Sequence, residues 1–146
     1  MCRSPLRLLF TGLMLLALGA CGLLASKPST SNQPELCCDG SMTAPPGTEA
    51  DFDMTLSNPA EAPIKTRVVM RGETPGDWRI ALCYEELCIA GKGEVEMDLD
   101  LDAGETLDIQ GKFFIPEDAQ PGQQATAAVA VDSLEPVSLT LDIVAE

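Results

Sequence analysis

Apolar and polar residues alternate along most of the second two-thirds of the chain. Phe52, Met54 and Leu56 fall on one side of such a segment, and Asp51, Asp53 and Thr55 on the other. A period of two places successive side chains on opposite faces, so each such run reads as a half-buried strand. The same rule turns Ile64, Val68 and Met70 inward with Lys65, Arg67 and Arg71 outward, and then turns Trp78, Ile80 and Leu82 inward. Val95, Met97, Leu99 and Leu101 alternate with Glu94, Glu96, Asp98, Asp100 and Asp102 in the clearest pattern of all. Leu107, Ile109, Phe113 and Ile115 follow, then a small-residue strand from Ala125 to Val131, then Val137, Leu139, Leu141 and Ile143. Turn residues separate the runs: Pro45-Pro46-Gly47, Asn58-Pro59, Pro75-Gly76, Ala103-Gly104, Pro116 and Pro121-Gly122. Seven or eight short strands with this punctuation predict an all-β, two-sheet antiparallel sandwich.

Upstream the pattern changes. Arg3 and Arg7 precede an apolar run from Leu8 to Ala20, whose 13 residues are too few for a bilayer core that needs about 20. The run ends in Leu18-Gly19-Ala20-Cys21, which resembles the lipobox of bacterial lipoprotein signal peptides. That resemblance implies cleavage before Cys21, lipidation of Cys21 and folding outside the cytoplasm. Gly22 after the cysteine implies passage to the outer membrane in a Gram-negative cell; in a Gram-positive cell the outer face of the plasma membrane is the address. Residues 22 to 34 are mostly Ser, Thr, Asn, Gln, Lys and Pro, which cannot bury a core and predict a flexible tether. The expected organisation is therefore a signal peptide over 1–20, a tether over 21–35 and a sandwich domain over 36–146.

Charge narrows the choice of partners. Past residue 20 the chain keeps seven basic side chains against 23 acidic ones. Such a surface repels nucleic acid and anionic headgroups, so membrane attachment is expected through the lipid at Cys21 and no nucleic-acid partner is expected. Histidine is absent from the sequence, which removes imidazole-assisted hydrolysis, blue-copper sites and His-ligated zinc. One Trp and one Tyr offer little for a stacking platform.

Pro46-Gly47-Thr48-Glu49, Ser57-Asn58-Pro59, Asp77-Trp78-Arg79-Ile80, Leu101 to Thr106, Ile115-Pro116 and Ala119-Gln120-Pro121-Gly122 together resemble the NEW3-like group of bacterial immunoglobulin-like domains over residues 44 to 146. The resemblance implies an immunoglobulin-like accessory or surface module without catalytic residues or cofactor. Fold does not fix function.

Four cysteines remain after Cys2 and Cys21. Cys83 and Cys88 flank Tyr84-Glu85-Glu86-Leu87, a spacing that lets a hairpin bring the two sulfurs together, and a disulfide is expected there, with two free core thiols as the alternative. Cys37 and Cys38 are adjacent, so a bond between them is strained. That vicinal bond, pairing with a second chain or with Cys83 and Cys88, and a thiol or metal role all stay open. Four-thiolate zinc is disfavoured by the spacing. Asp98, Asp100 and Asp102 lack the glycine and the twelfth-position carboxylate of a calcium loop and read as a solvated strand face. Trp78 and the methionines Met42, Met54, Met70 and Met97 read as core. Asp51 with Asp53 and Glu85 with Glu86 are paired carboxylates only in sequence. The leading expectation is a non-catalytic, lipid-anchored envelope module that presents loops or a sheet edge to an envelope protein or polymer. The competing one is a thiol-redox or metal-handling lipoprotein using Cys37 and Cys38.

Overall fold

The computed structural model describes residues 33–145, apart from 38, 77 and 133. Among the described residues the strands in chain order are β1 (Glu35–Cys37), β2 (Gly40–Ala44), β3 (Glu49–Ser57), β4 (Ile64–Glu73), β5 (Arg79–Tyr84), β6 (Leu87–Gly91), β7 (Glu94–Leu101), β8 (Thr106–Phe114), β9 (Gln124–Val131) and β10 (Val137–Ile143). They form two five-stranded sheets, β1-β3-β8-β5-β6 and β2-β10-β9-β4-β7. This is the immunoglobulin-like sandwich, with more strands than the alternation reveals. The additional ones, β1, β2 and β6, are three to five residues long, too short to show a period. β1 starts at Glu35, the last residue of the expected tether.

One pairing departs from the antiparallel expectation. β1 runs antiparallel to β3, with Leu36 opposite Leu56, but β2 runs parallel to β10, with Met42 opposite Leu141. Between Cys37 and Gly40 the chain crosses from one sheet to the other without an intervening hairpin, so it meets β10 in the parallel sense. The Asp39 carboxylate accepts the Ser138 backbone N–H at 2.6 Å just past this crossing.

Between the sheets lies a continuous apolar layer. Phe113, Met54, Leu56, Ile80 and Leu82 from the first sheet meet Val68, Met70, Leu101, Leu139 and Leu141 from the second, all essentially without solvent contact. Phe52 and Phe113 meet edge to face with centroids 5.7 Å apart, a favourable arrangement for ring quadrupoles. Trp78 is buried at one end of this layer, as the pattern predicts. Gly111, in the middle of β8, marks a close approach of the two sheets. A Cβ there would fall 2.9 Å from Leu139 Cδ1 and 3.3 Å from Met54 Cε, so a side chain at this position would have to displace buried neighbours.

Asn58, at 1% exposure, ties the loop after β3 to the end of β7. Its Nδ2 donates to the carbonyls of Ala62 at 2.9 Å and Asp102 at 2.8 Å, and its Oδ1 accepts the Ala60 N–H at 3.0 Å. Asp132 does similar work at the end of β9: its carboxylate accepts the Thr66 hydroxyl at 2.6 Å, and its own N–H donates to the Arg67 carbonyl. Among the described residues no helix is long and apolar enough to cross a membrane.

Candidate functional site

The β5–β6 hairpin closes one edge of the first sheet. Tyr84 pairs with Leu87 across the two-residue turn Glu85-Glu86, and Cys83 pairs with Cys88 one step further in. The expected disulfide joins Cys83 and Cys88, whose Cα atoms are 4.1 Å apart. In an antiparallel ladder the shorter separation belongs to positions that do not exchange backbone hydrogen bonds. Cys88 therefore directs its N–H and C=O away from β5, toward the open edge.

The turn is held in an unusual conformation. Glu85 has φ 51°, a left-handed backbone that costs a residue with a Cβ free energy and is normally left to Gly or Asn. The disulfide clamps the ends of this turn and keeps it ordered. Burial at the sheet rim raises the Tyr84 phenol above its usual range, and the Glu85 carboxylate adds to the shift. Beyond the turn, Leu87 is 57% and Ile89 37% exposed, the large apolar side chains that the described strands leave to solvent. They stand opposite Tyr84 and Leu82 on the inner face of the sheet, so the sandwich core opens to solvent along this edge.

Beside the hairpin, the outer face of β3, β8 and β5 forms a shallow depression of about 580 Å³ lined by Asp53, Thr55, Cys83, Glu85, Asp108 and Gln110. Gln110 Nε2 donates to Asp53 Oδ1 at 2.7 Å, and Lys112 Nζ donates to Asp51 Oδ2 at 3.1 Å. Asp51 and Asp53 thus each have a partner of their own, and neither faces the other as an acid–base pair would.

The acidic run on β7 acquires partners that its own sequence does not name. Register sets Asp100 opposite Lys65, Asp98 opposite Arg67 and Glu94 opposite Arg71. Lys65 Nζ lies 2.8 Å from Asp100, Arg67 Nε lies 2.7 Å from Asp98, Arg67 also reaches Glu96 at 3.6 Å, and Arg71 pairs with Glu94. The Arg67 hydrogen bond holds the Asp98 carboxyl below its usual range, and the Asp100 hydrogen bond raises the Lys65 ammonium. The solvated face is a cross-strand ion ladder. Among the described residues no three His, Cys, Asp or Glu side chains gather as a metal would need.

The remaining cysteines separate. Cys37 ends β1, the opposite edge of the sheet from β6, three ladder spacings of about 4.8 Å from β5. Cross-pairing with Cys83 or Cys88 is thereby excluded, since those two are bonded to each other. Cys37 is itself disulfide-bonded. Cys21 and Cys38 lie outside the described residues, as do the leader and most of the tether. Met54, Met70 and Met97 are buried and Met42 packs against the core, as expected.

A two-sheet sandwich with a clamped, apolar edge hairpin is the class that these features define. Set beside solved structures, the chain is similar to the N-terminal domain of PorA, at 16% identity over 76% of this chain and 97% of that one, with a TM-score of 0.56. It is also similar to part of a family 123 glycoside hydrolase from Clostridium perfringens, at 12% identity over 73% of this chain and 23% of that one, with a TM-score of 0.48. A third similarity is to the sixth cohesin of scaffoldin B from Acetivibrio cellulolyticus, solved with a Cel5 dockerin, at 11% identity over 71% and 94% of the two chains and a TM-score of 0.42. These are likenesses of fold. No protein-family model matches the chain, and no curated protein matches it either.

Proposed function

We propose that this chain is a non-catalytic, lipid-anchored module of the bacterial cell envelope, and that its β5–β6 hairpin is the element it presents to an envelope protein or polymer. The observation that carries this reading is the hairpin itself: a disulfide clamps a left-handed turn, and Leu87 and Ile89 stand exposed beside it. Preorganised apolar surface lowers the ordering entropy that association otherwise costs. Backbone groups at a free sheet edge add hydrogen-bonding capacity for an incoming strand.

Attachment rests on the Leu18-Gly19-Ala20-Cys21 box. One acyl chain holds a protein to a membrane only marginally, whereas two or more hold it durably, which an acidic domain repelled by anionic headgroups requires. Two measurements on the full-length protein in its own cell test the proposal. Labelled fatty acid should enter the wild-type chain and fail to enter Cys21→Ala; normal labelling and maturation of Cys21→Ala would remove the anchor. A photo-cross-linking residue at Leu87 should form adducts in the intact envelope, whereas one at Thr43, on the far edge of the other sheet, should not. Equal capture at both positions, or none at either, would remove the hairpin from the proposal.

A further inference from the structure

We infer that the groove over Trp78, at the end of the sandwich away from the hairpin turn, takes an extended, proline-containing basic segment of another protein. This goes beyond the hairpin reading and does not rest on it.

Register places the groove. β5 begins at Arg79, opposite Phe114 where β8 ends, and finishes at Tyr84, opposite Ile109 and next to the Glu85-Glu86 turn. Phe114 also pairs with Glu49 at the start of β3, whereas Glu35 meets Ser57 at its far end. The chain therefore enters the fold on the hairpin's side, and the loops around Trp78 gather on the opposite one. β3 has nine residues, about 30 Å of strand. Pro28 precedes Gln33 by five residues, a reach of about 18 Å at full extension, so the tether of the same copy does not bring that proline to the groove.

The groove encloses about 320 Å³ and is lined by Pro75, Trp78, Pro116, Asp118, Ala119 and Gln123. Its walls are pinned. The Pro116 carbonyl accepts the N–H groups of Gly47 at 3.2 Å and Ala119 at 3.1 Å, and Gly76, at φ 67°, turns the chain between Pro75 and Trp78. Trp78 itself is 5% exposed. Its indole N–H meets no acceptor among the described residues, yet it is not sealed from solvent. A side chain buried this deeply normally has its donor satisfied. Here the donor opens into the groove and is left for an acceptor that a ligand brings.

The lining also selects the ligand's chemistry. Prolines and an indole offer flat, rigid apolar faces of the kind on which pyrrolidine rings pack. A polyproline II segment has no internal hydrogen bonds, so its carbonyls are free to accept from Trp78 Nε1 and from Gln123 Nε2, whose Oε1 already accepts the Gln120 N–H at 2.8 Å. Asp118 is exposed, and its carboxylate has no partner among the described residues. On a chain with 23 acidic side chains against 9 basic ones, charge at this rim favours Lys or Arg and rejects an acidic segment.

Trp78 is the one Trp of the sequence, so its fluorescence reports on the groove directly. The test titrates the full-length protein in detergent with the synthetic peptide Lys-Pro-Pro-Lys-Pro-Pro, followed by fluorescence and by calorimetry. A saturable Trp78 response is expected, and the acidic peptide Glu-Pro-Pro-Glu-Pro-Pro should bind more weakly. Asp118→Lys should weaken the basic peptide about fivefold or more by reversing the rim charge. Trp78→Phe, read by calorimetry, should weaken it by about fivefold to tenfold through the loss of one donor. Circular dichroism checks the strand content of each variant, and the exposed Asp118 keeps the test decisive if Trp78→Phe does not fold. No saturable response, equal binding of the two peptides, or an affinity that Asp118→Lys leaves unchanged overturns the inference. Saturable binding of an N-acetylglucosamine tetramer in place of the peptide overturns it too, by making the groove a polymer site. None of these results bears on the hairpin, whose own test is the cross-linking at Leu87.

Discussion

Asn58 shows how much a single polar side chain can hold. Read in sequence it is a turn residue before Pro59, yet it sits at 1% exposure and binds three backbone groups across two loops at 3.0 Å or less. A buried amide so placed is costly to remove, because the carbonyls of Ala62 and Asp102 lose their donor where water does not easily replace it. Asn58→Ala should lower the unfolding free energy by about 2–3 kcal/mol in a urea titration, and Asn58→Asp by a similar amount, since a carboxylate cannot donate to those carbonyls. A loss below about 0.5 kcal/mol in both variants would mean that the loop re-forms its hydrogen bonds without the side chain. Glu85 is the opposite case, a charged residue kept at φ 51° by the hairpin around it.

At the scale of the element, the hairpin and the ion ladder make separate claims. The Cys83–Cys88 disulfide closes a short loop, which by loop entropy stabilises the fold by about 2 kcal/mol. Cys83→Ser/Cys88→Ser should lose about that amount in denaturant titration and should release the β6 edge first, with the Ile89 and Gly91 amides, which face β5, exchanging faster than in the wild type while those of β8 do not. Unchanged exchange along β6 would show that the β5 ladder alone holds the strand. The β4–β7 ladder is exposed and answers to pH. Because the folded-state pKa of Asp98 is depressed, its contribution is fully present above the ordinary carboxylate range, near pH ~4, and is lost as pH falls through the lower folded value. The stability gap between wild type and Asp98→Asn should therefore be open at pH 6 and should close as pH drops toward 2. A gap of constant size across that range would assign it to something other than the Asp98 charge.

For the whole molecule, the alternation between Ala50 and Ile143 was enough to define an all-β sandwich, because the apolar face of each strand must be covered and the stretch offers only further strands to cover it. The inward sets on β3, β5, β7, β8 and β10 follow from it residue by residue, and the Cys83–Cys88 spacing lets a tight hairpin bring the two sulfurs together. The strongly acidic balance of the chain is likewise legible. Other features belong to the tertiary structure. Strands β1 and β2 are too short to show a period, and only the second sheet's need for a strand beside β10 fixes their crossing and the parallel sense of β2. The partners of Asp98 and Asp100 lie 31 and 35 residues away and are set by β4–β7 register, a choice among alignments that local pattern does not rank. The openness of β6 is decided the same way. Leu87 and Ile89 look like core residues by type, and they are exposed because the sheet ends at β6 and leaves that rim of the sandwich uncovered. Sequence determined which side chains seek an interior; the order of strands within the sheets decided which of them find one.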